Sequence, residues 1–279
     1  MTMTISFQGE PGAYSHQACV EVFPKGTAVP CHSFEGAIAA VTDGRADYAM
    51  LPVENSTYGR VADIHSLLPD SGLHIVAEHF VRVHANLLGL KNSKLSQITT
   101  AQSHPVLLGQ CRKFLKKNQI IPETVADTAG SARLVSEQEN PNIGALASEL
   151  AAEIYGLDIL ARHIEDNSHN TTRFLVCAPE PEPAMLGSGK IMTTIVFQVR
   201  NIPAALFKAM GGFATNGVNM VKLESYMVNG NFTATQFYAD IEGHPAEAAV
   251  ARALEELEYF TSSMRILGVY PSNKFREHV

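Results

Sequence analysis

The residues best suited to chemistry lie in the stretch Asp166-Asn167-Ser168-His169-Asn170-Thr171-Thr172-Arg173-Phe174. Within it a hydroxyl, a guanidinium and an aromatic ring sit side by side as Thr172, Arg173 and Phe174. Arg173 offers a rigid fork that matches a carboxylate. Thr172 offers a small donor that can reach a leaving oxygen. Phe174 opens the apolar run Phe174-Leu175-Val176-Cys177, which reads as a strand. Taken alone, the stretch also reads as a loop entering that strand, with Thr172 and Phe174 on one face and Arg173 in solvent. The elements around it decide which reading applies.

Those elements alternate. Short strands at 4–8, 28–30, 48–52, 98–101, 123–126, 143–146 and 157–160 are each bounded by helical or turn signals. Ser15, Ser33 and Ser148 stand where helix caps are expected, and Gly44 and Gly156 where helices end. Strands alternating with helices predict an α/β domain with largely parallel sheets, in which ligands bind beyond the strand ends where helices begin. Helix starts rich in Ser, Thr and small residues present free N–H groups to an anion. Ser15, Ser103 beside Pro105, and Thr128 through Ser131 are three such openings, although ordinary caps look the same. Val53-Glu54-Asn55-Ser56-Thr57-Tyr58-Gly59 reads as a polar loop with side-chain donors in a row.

Ala178-Pro179-Glu180-Pro181-Glu182-Pro183 followed by Gly187-Ser188-Gly189-Lys190 reads as an extended linker. Beyond it, strands at 192–199, 220–228, 232–241 and 264–269 and helices at 203–214 and 245–257 give the order β-α-β-β-α-β, a ferredoxin-like unit. Asn229-Gly230 is its hairpin turn. Such sheets often pair edge to edge, so a dimer is expected.

Composition narrows the function. The 279 residues carry a net charge of −7 with no basic run, which argues against nucleic acid as the main partner. Four dispersed cysteines without a C-x-x-C pair do not form a disulfide framework. The N-terminus lacks a charged segment followed by an apolar one, and no apolar run reaches membrane-spanning length. A cytoplasmic protein is the expectation. His74, His79 and His84 are five apart, which on a strand sends them to opposite faces, and no Cys/His cluster or H-E-x-x-H occurs. Gly189-Lys190 is not a P-loop, because Ala184 and Ile191 stand where Gly and Ser or Thr are needed. Gly9-Glu10-Pro11-Gly12 lacks dinucleotide spacing, and no G-x-S-x-G elbow is present. Neither a metal nor a cofactor is expected.

Four segments taken in order are more informative than any one. They are Gly9-Glu10-Pro11-Gly12-Ala13-Tyr14-Ser15-His16, Pro52-Val53-Glu54-Asn55-Ser56, Ser103-His104-Pro105 with Gln110-Cys111, and Asn170-Thr171-Thr172-Arg173-Phe174. Motif for motif they resemble the prephenate dehydratase family, and the later unit resembles the ACT domain that usually regulates it. The resemblance covers nearly the whole chain. It implies conversion of prephenate to phenylpyruvate with loss of water and carbon dioxide, without cofactor, on the route to phenylalanine.

It further implies a two-lobed, periplasmic-binding-protein-like catalytic domain over 1–178, with lobes of about 1–80 plus 165–178 and 81–164. A linker at 179–190 and an ACT domain at 191–279 would follow. Thr172 is the implied catalytic residue. Asn55, Ser56, Ser103, His104, Thr128, Arg173 and Phe174 are the implied substrate-binding set. Glu54 is expected to order its loop, since a free carboxylate would repel a dicarboxylate substrate.

L-phenylalanine is the implied effector, at Ala204, Ala205, Leu206, Asn219, Glu224 and Ser225, in a homodimer or homotetramer. Two departures weaken that part. The usual glycine-alanine-leucine is Ala204-Ala205-Leu206, and the usual glutamate-serine-arginine-proline is Glu224-Ser225-Tyr226-Met227. Arogenate as substrate, and a non-catalytic amino-acid sensor, are the competing readings.

Overall fold

A computed structural model describes residues 2–200, 202–227 and 234–277. The first half of the chain runs β1 (Thr4–Gln8), α1 (Tyr14–Val22), β2 (Thr27–Cys31), α2 (Phe34–Thr42), β3 (Tyr48–Asn55), β4 (Gly59–Arg60), α3 (Ala62–Leu67), β5 (His74–Arg82) and β6 (Asn86–Gly89). It continues with β7 (Thr100–Ser103), α4 (Pro105–Gln110), α5 (Arg112–Lys117), β8 (Ile121–Thr124), α6 (Thr128–Gln138), β9 (Ile143–Ala147), α7 (Glu149–Tyr155), β10 (Asp158–Ala161) and β11 (Thr171–Ala178). The last part is β12 (Ile191–Val199), α8 (Ala205–Thr215), β13 (Met220–Met227), β14 (Ala234–Glu242), α9 (Ala248–Phe260) and β15 (Thr261–Pro271). Two compact units result: 1–61 with 79–174, and 62–78 with 175–279.

The first unit holds two α/β lobes. In one lobe β1 pairs in parallel with both β2 and β3, and β3 turns back into β4. In the other, the strand order is β10-β6-β9-β7-β8, with β7 parallel to both its neighbours and β6 antiparallel to both of its own. Strand alternation builds two cores in this second lobe. Leu87 and Leu146 face Leu107, Leu108, Cys111 and Leu115 on one side. Leu88, Ala145 and Ala147 face Ala132, Val135, Ala151 and Ala152 on the other.

The chain crosses between the lobes at 83–85 and 164–170, where Val83 N–H donates to Asn170 O and Ile164 N–H to Ala85 O. Side-chain hydroxyls add further ties. Ser148 donates to Gly12 O, Tyr155 to Pro11 O and Tyr14 to His84 O. Gly12 is required here: its φ is +91°, and a Cβ would lie 2.7 Å from Ala151 Cα.

The second unit follows the expected β-α-β-β-α-β order, with strands arranged β13-β14-β12-β15 and α8 and α9 packed on one face. It is larger than 191–279, because residues 62–78 belong to it. The start of β5 pairs with β15 at Ile75 and Gly268, and buried Glu78 takes a bidentate pair from Arg276 at 2.7 and 2.9 Å. The Asn229-Gly230 turn lies outside the described residues. Among the described residues no helix is long and apolar enough to cross a membrane.

Local details differ from expectation in three places. Ser15 does not cap α1; the N-cap is Ala13, with no side-chain bond, and Ser15 is buried in the first turn. The helix expected after Pro105 breaks at Cys111, whose φ and ψ of −115° and 19° are not helical. The polar loop expected at 53–59 begins as strand, so Asn55 closes β3 rather than moving in a loop.

Candidate active site

The site is built where β3 ends beside β11. Ser56 N–H donates to Thr171 O at 2.9 Å, and Thr171 N–H returns to Ser56 Oγ at 2.9 Å. Ser56 Oγ donates in turn to His169 O at 2.9 Å. Ser56 is therefore a clamp that fixes the start of β11 against the end of β3, with one lone pair left over.

Asn55 is more fully engaged. Its Oδ1 accepts from Thr57 N–H at 2.9 Å and Tyr58 N–H at 3.0 Å. Its Nδ2 donates to Asn170 Oδ1 at 2.7 Å and to Thr172 Oγ1 at 3.0 Å. A carboxamide has two N–H groups and two lone pairs, so none is left for a ligand. Asn55, expected to bind substrate, thus has its amide engaged within the protein, with one N–H on Thr172. Because Thr172 Oγ1 accepts from Asn55, its own O–H is not spent on that amide.

β11 alternates, which separates Thr172 from Arg173. Asn170, Thr172 and Phe174 share one face, and Phe174 is buried as packing. Thr171 and Arg173 share the other. Arg173 is only 2% exposed and pairs with Glu54 at 2.9 Å. The expected substrate carboxylate for this fork is therefore an internal one, and Arg173 lies on the strand face away from Thr172. The same pair holds Glu54 near the end of β3.

The second lobe holds the remaining expected residues. His104 caps α4, with Nδ1 accepting from Val106 N–H at 3.2 Å, so the neutral ring carries its proton on Nε2. Tyr58 reaches across to donate to Val106 O at 3.1 Å. A chain of contacts thus runs from Thr172 through Asn55 and Tyr58 to the turn that holds His104. Ser103 is not in this chain. It is fully buried and donates to Leu146 O at 2.8 Å, which ties β7 to β9. Thr128 is the first residue of α6, capped by Asp127 onto Gly130 N–H, and its carbonyl accepts from Ser131 Oγ.

The sequence motifs contain Asn170, His16 and Tyr58 but assign them no role. The Asx turn at Asn55, readable as Asn followed by polar residues, was the available signal for Tyr58. His16 accepts from Gly12 N–H at 3.0 Å and stacks on Phe7, and burial pushes its pKa down. Burial pushes the thiols of Cys19, Cys111 and Cys177 up to about 12, which leaves them without thiolate character at neutral pH. Among the described residues no cluster of His, Cys, Asp and Glu is suited to a metal ion.

In the second unit, the residues expected to bind an effector do not share one element. Ala204 takes a left-handed φ of 60° at the N-cap of α8, where the family's glycine fits without strain. Ala205 is buried and Leu206 packs on the core. Asn219 donates to Glu242 at 3.1 Å. Glu224 receives Lys222 Nζ at 3.3 Å, so an ammonium already meets this carboxylate. Ser225 falls on the exposed face of β13.

Fold and site together define a two-lobed α/β protein with a hydroxyl donor held by amides at a strand junction, followed in the chain by a βαββαβ module. Comparison with known proteins narrows the class. Residues 5–182 match the family model for prephenate dehydratase. A bifunctional N-acyl-homoserine lactone acylase/prephenate dehydratase of Komagataeibacter europaeus is 50% identical over 98% of this chain and 97% of its own. Arogenate dehydratase/prephenate dehydratase 1 of Arabidopsis thaliana is 40% identical over 98% of this chain and 73% of its own. The prephenate dehydratase of Arthrobacter aurescens, solved with L-Phe, superimposes with a TM-score of 0.88 at 29% identity, over 97% of this chain and 90% of that one. The chain belongs to the prephenate dehydratase family.

Proposed function

We propose that the protein converts prephenate to phenylpyruvate, water and carbon dioxide, as a carbon-oxygen lyase of L-phenylalanine biosynthesis. The observation that supports this reading is the Thr172 hydroxyl, whose oxygen accepts from Asn55 and whose O–H is thereby kept for another partner. In the reaction the bond to the ring carboxylate breaks, its electron pair enters the ring, and the ring hydroxyl leaves from the opposite carbon. Aromatisation supplies the driving force, so the protein's task is to orient the substrate and stabilise the departing oxygen. Thr172 donates to that oxygen. His104, whose Nδ1 accepts from Val106 N–H, is the second candidate hydrogen-bond donor to that oxygen, and solvent supplies the proton that completes water. The N-terminal turn of α6 at Thr128 offers backbone N–H groups to a substrate carboxylate, a task that passes to it because Arg173 is held by Glu54.

On this reading residues 1–178 form the catalytic domain, 179–190 the linker and 191–279 an ACT domain, in a cytoplasmic homodimer or homotetramer. L-phenylalanine is the proposed effector. It must displace Lys222 from Glu224 and tolerate the methyl of Ala204, so the proposed inhibition is weaker than glycine at that position would allow. A phenylalanine dose series that changes neither activity nor oligomeric state would remove this part. Seven relatives from Arabidopsis thaliana and Petunia hybrida carry arogenate in their names, so arogenate is the alternative substrate. Turnover of both substrates in parallel decides between them, and phenylpyruvate formation by the purified protein dismisses the sensor reading.

The Komagataeibacter relative favours a second reading, an added acylase activity on N-acyl-homoserine lactones. The described thiols do not supply a nucleophile for it. Release of homoserine lactone from an acylated substrate, measured beside dehydration, tests it.

A further inference from the structure

Asn170 presents an unusual balance of hydrogen bonds. The Asn55 carboxamide cannot be turned round, because Thr57 and Tyr58 N–H both donate to its oxygen. It therefore presents N–H to its neighbours, and Asn170 must answer with its own oxygen. That leaves Asn170 Nδ2 buried with no hydrogen-bond partner among the described residues, in a side chain only 2% exposed. A purely structural asparagine uses both ends of its amide, and an orphaned buried donor is costly. Here the oxygen is kept at the expense of the nitrogen. The main chain holds the residue in place as well, since Asn170 O accepts from Val83 N–H at 3.0 Å where the chain crosses between lobes.

We propose that Asn170 is a positioning residue for the dehydration: its carboxamide oxygen holds Asn55, and through Asn55 it fixes the direction of the Thr172 hydroxyl. The inference rests on the reading of Thr172 as the donor to the departing oxygen. One N–H of Asn55 goes to each of Asn170 and Thr172, so removing the first acceptor frees the amide to swing out of the plane that serves the second. The donor then samples several directions instead of one.

Asn170→Leu matches the side chain in size and removes the acceptor. Its kcat is expected to fall on the order of 10- to 100-fold, the scale of a misplaced catalytic group, with KM little changed. Asn170→Asp keeps an acceptor oxygen for Asn55 and is expected to restore most of that kcat. In the Thr172→Val background, where no hydroxyl is left to direct, Asn170→Leu is expected to cost nothing further. Should Asn170→Leu fail to fold, Asn170→Ala removes the same acceptor without apolar bulk and carries the same expectation.

Two results would overturn the proposal: wild-type kcat in Asn170→Leu, or a full additional loss in the double variant. A crystal structure of Asn170→Leu gives a readout independent of turnover, in which the Asn55–Thr172 contact is expected to be broken. If the wild type turns over no prephenate, the functional reading fails. The positioning claim is then judged on that contact alone, and an unchanged contact overturns it.

Discussion

Thr172→Val changes one atom of the site while keeping its shape. Valine retains the branched side chain and the β conformation of β11, so the strand and the buried Phe174 beyond it are undisturbed. Two interactions are lost. The proposed donor to the departing oxygen disappears, and one N–H of Asn55 loses its acceptor at 3.0 Å. The first loss falls on kcat, because the hydrogen bond strengthens only as charge develops on the oxygen. Removal of a single preorganised donor costs about 2.7–4 kcal/mol in the transition state, or roughly 10²–10³ in rate. The second loss falls on stability and is at most about 1 kcal/mol, because Asn55 is only half-buried and keeps three bonds. Steady-state formation of phenylpyruvate should show kcat lowered by that factor with KM nearly unchanged. Thr172→Ser, which restores the hydroxyl, should recover most of the rate. A Thr172→Val protein with near-normal kcat, or a serine variant as slow as valine, would refute the assignment.

Arg173→Met should act on folding rather than binding: it removes the pair with Glu54 and destabilises by about 3 kcal/mol, the low end for a broken buried pair because Glu54 keeps some solvent. Chemical denaturation measures this, and a normal Cm with a raised KM would return Arg173 to the substrate. Gly12→Ala places a methyl 2.7 Å from Ala151 Cα at a φ of +91°, so it should force the lobes apart and weaken the Ser148 and Tyr155 hydroxyl contacts. A drop in melting temperature of several degrees together with lowered turnover is expected, and an unchanged melting curve would show that the lobes are not locked there. His16 is held below its ordinary pKa of 6.5 by burial, so the unfolded chain takes up its proton first. Its contribution to stability is complete above pH 6.5 and is lost as the pH falls from there through the depressed folded value. His16→Phe, which keeps the stack on Phe7, should flatten the stability–pH curve in that window, and an unaltered slope would dismiss the effect.

Much of the architecture could be read from local patterns. Ser33, Ser148 and Gly156 mark helix ends because capping is a matter of a few adjacent residues. The βαββαβ order was legible for the same reason. The site was legible in its motifs but not in its division of labour. Asn55, Ser103 and Arg173 look like ligand donors in sequence, and each is satisfied by a partner 43 to 119 residues away. Only the fold reveals that Asn55 has no hydrogen-bonding capacity left, that Ser103 joins two strands, and that Arg173 meets Glu54. Residues 62–78 were unreadable as part of the second unit because their anchors, Gly268 and Arg276, lie near the other end of the chain.

The central claim is tested most directly by incubating the purified protein with prephenate and with arogenate in parallel, following carbon dioxide and aromatic product together. One equivalent of phenylpyruvate per carbon dioxide from prephenate is the expected result, and its loss in Thr172→Val would tie the chemistry to this site. Carbon dioxide and aromatic product from neither substrate would contradict the account.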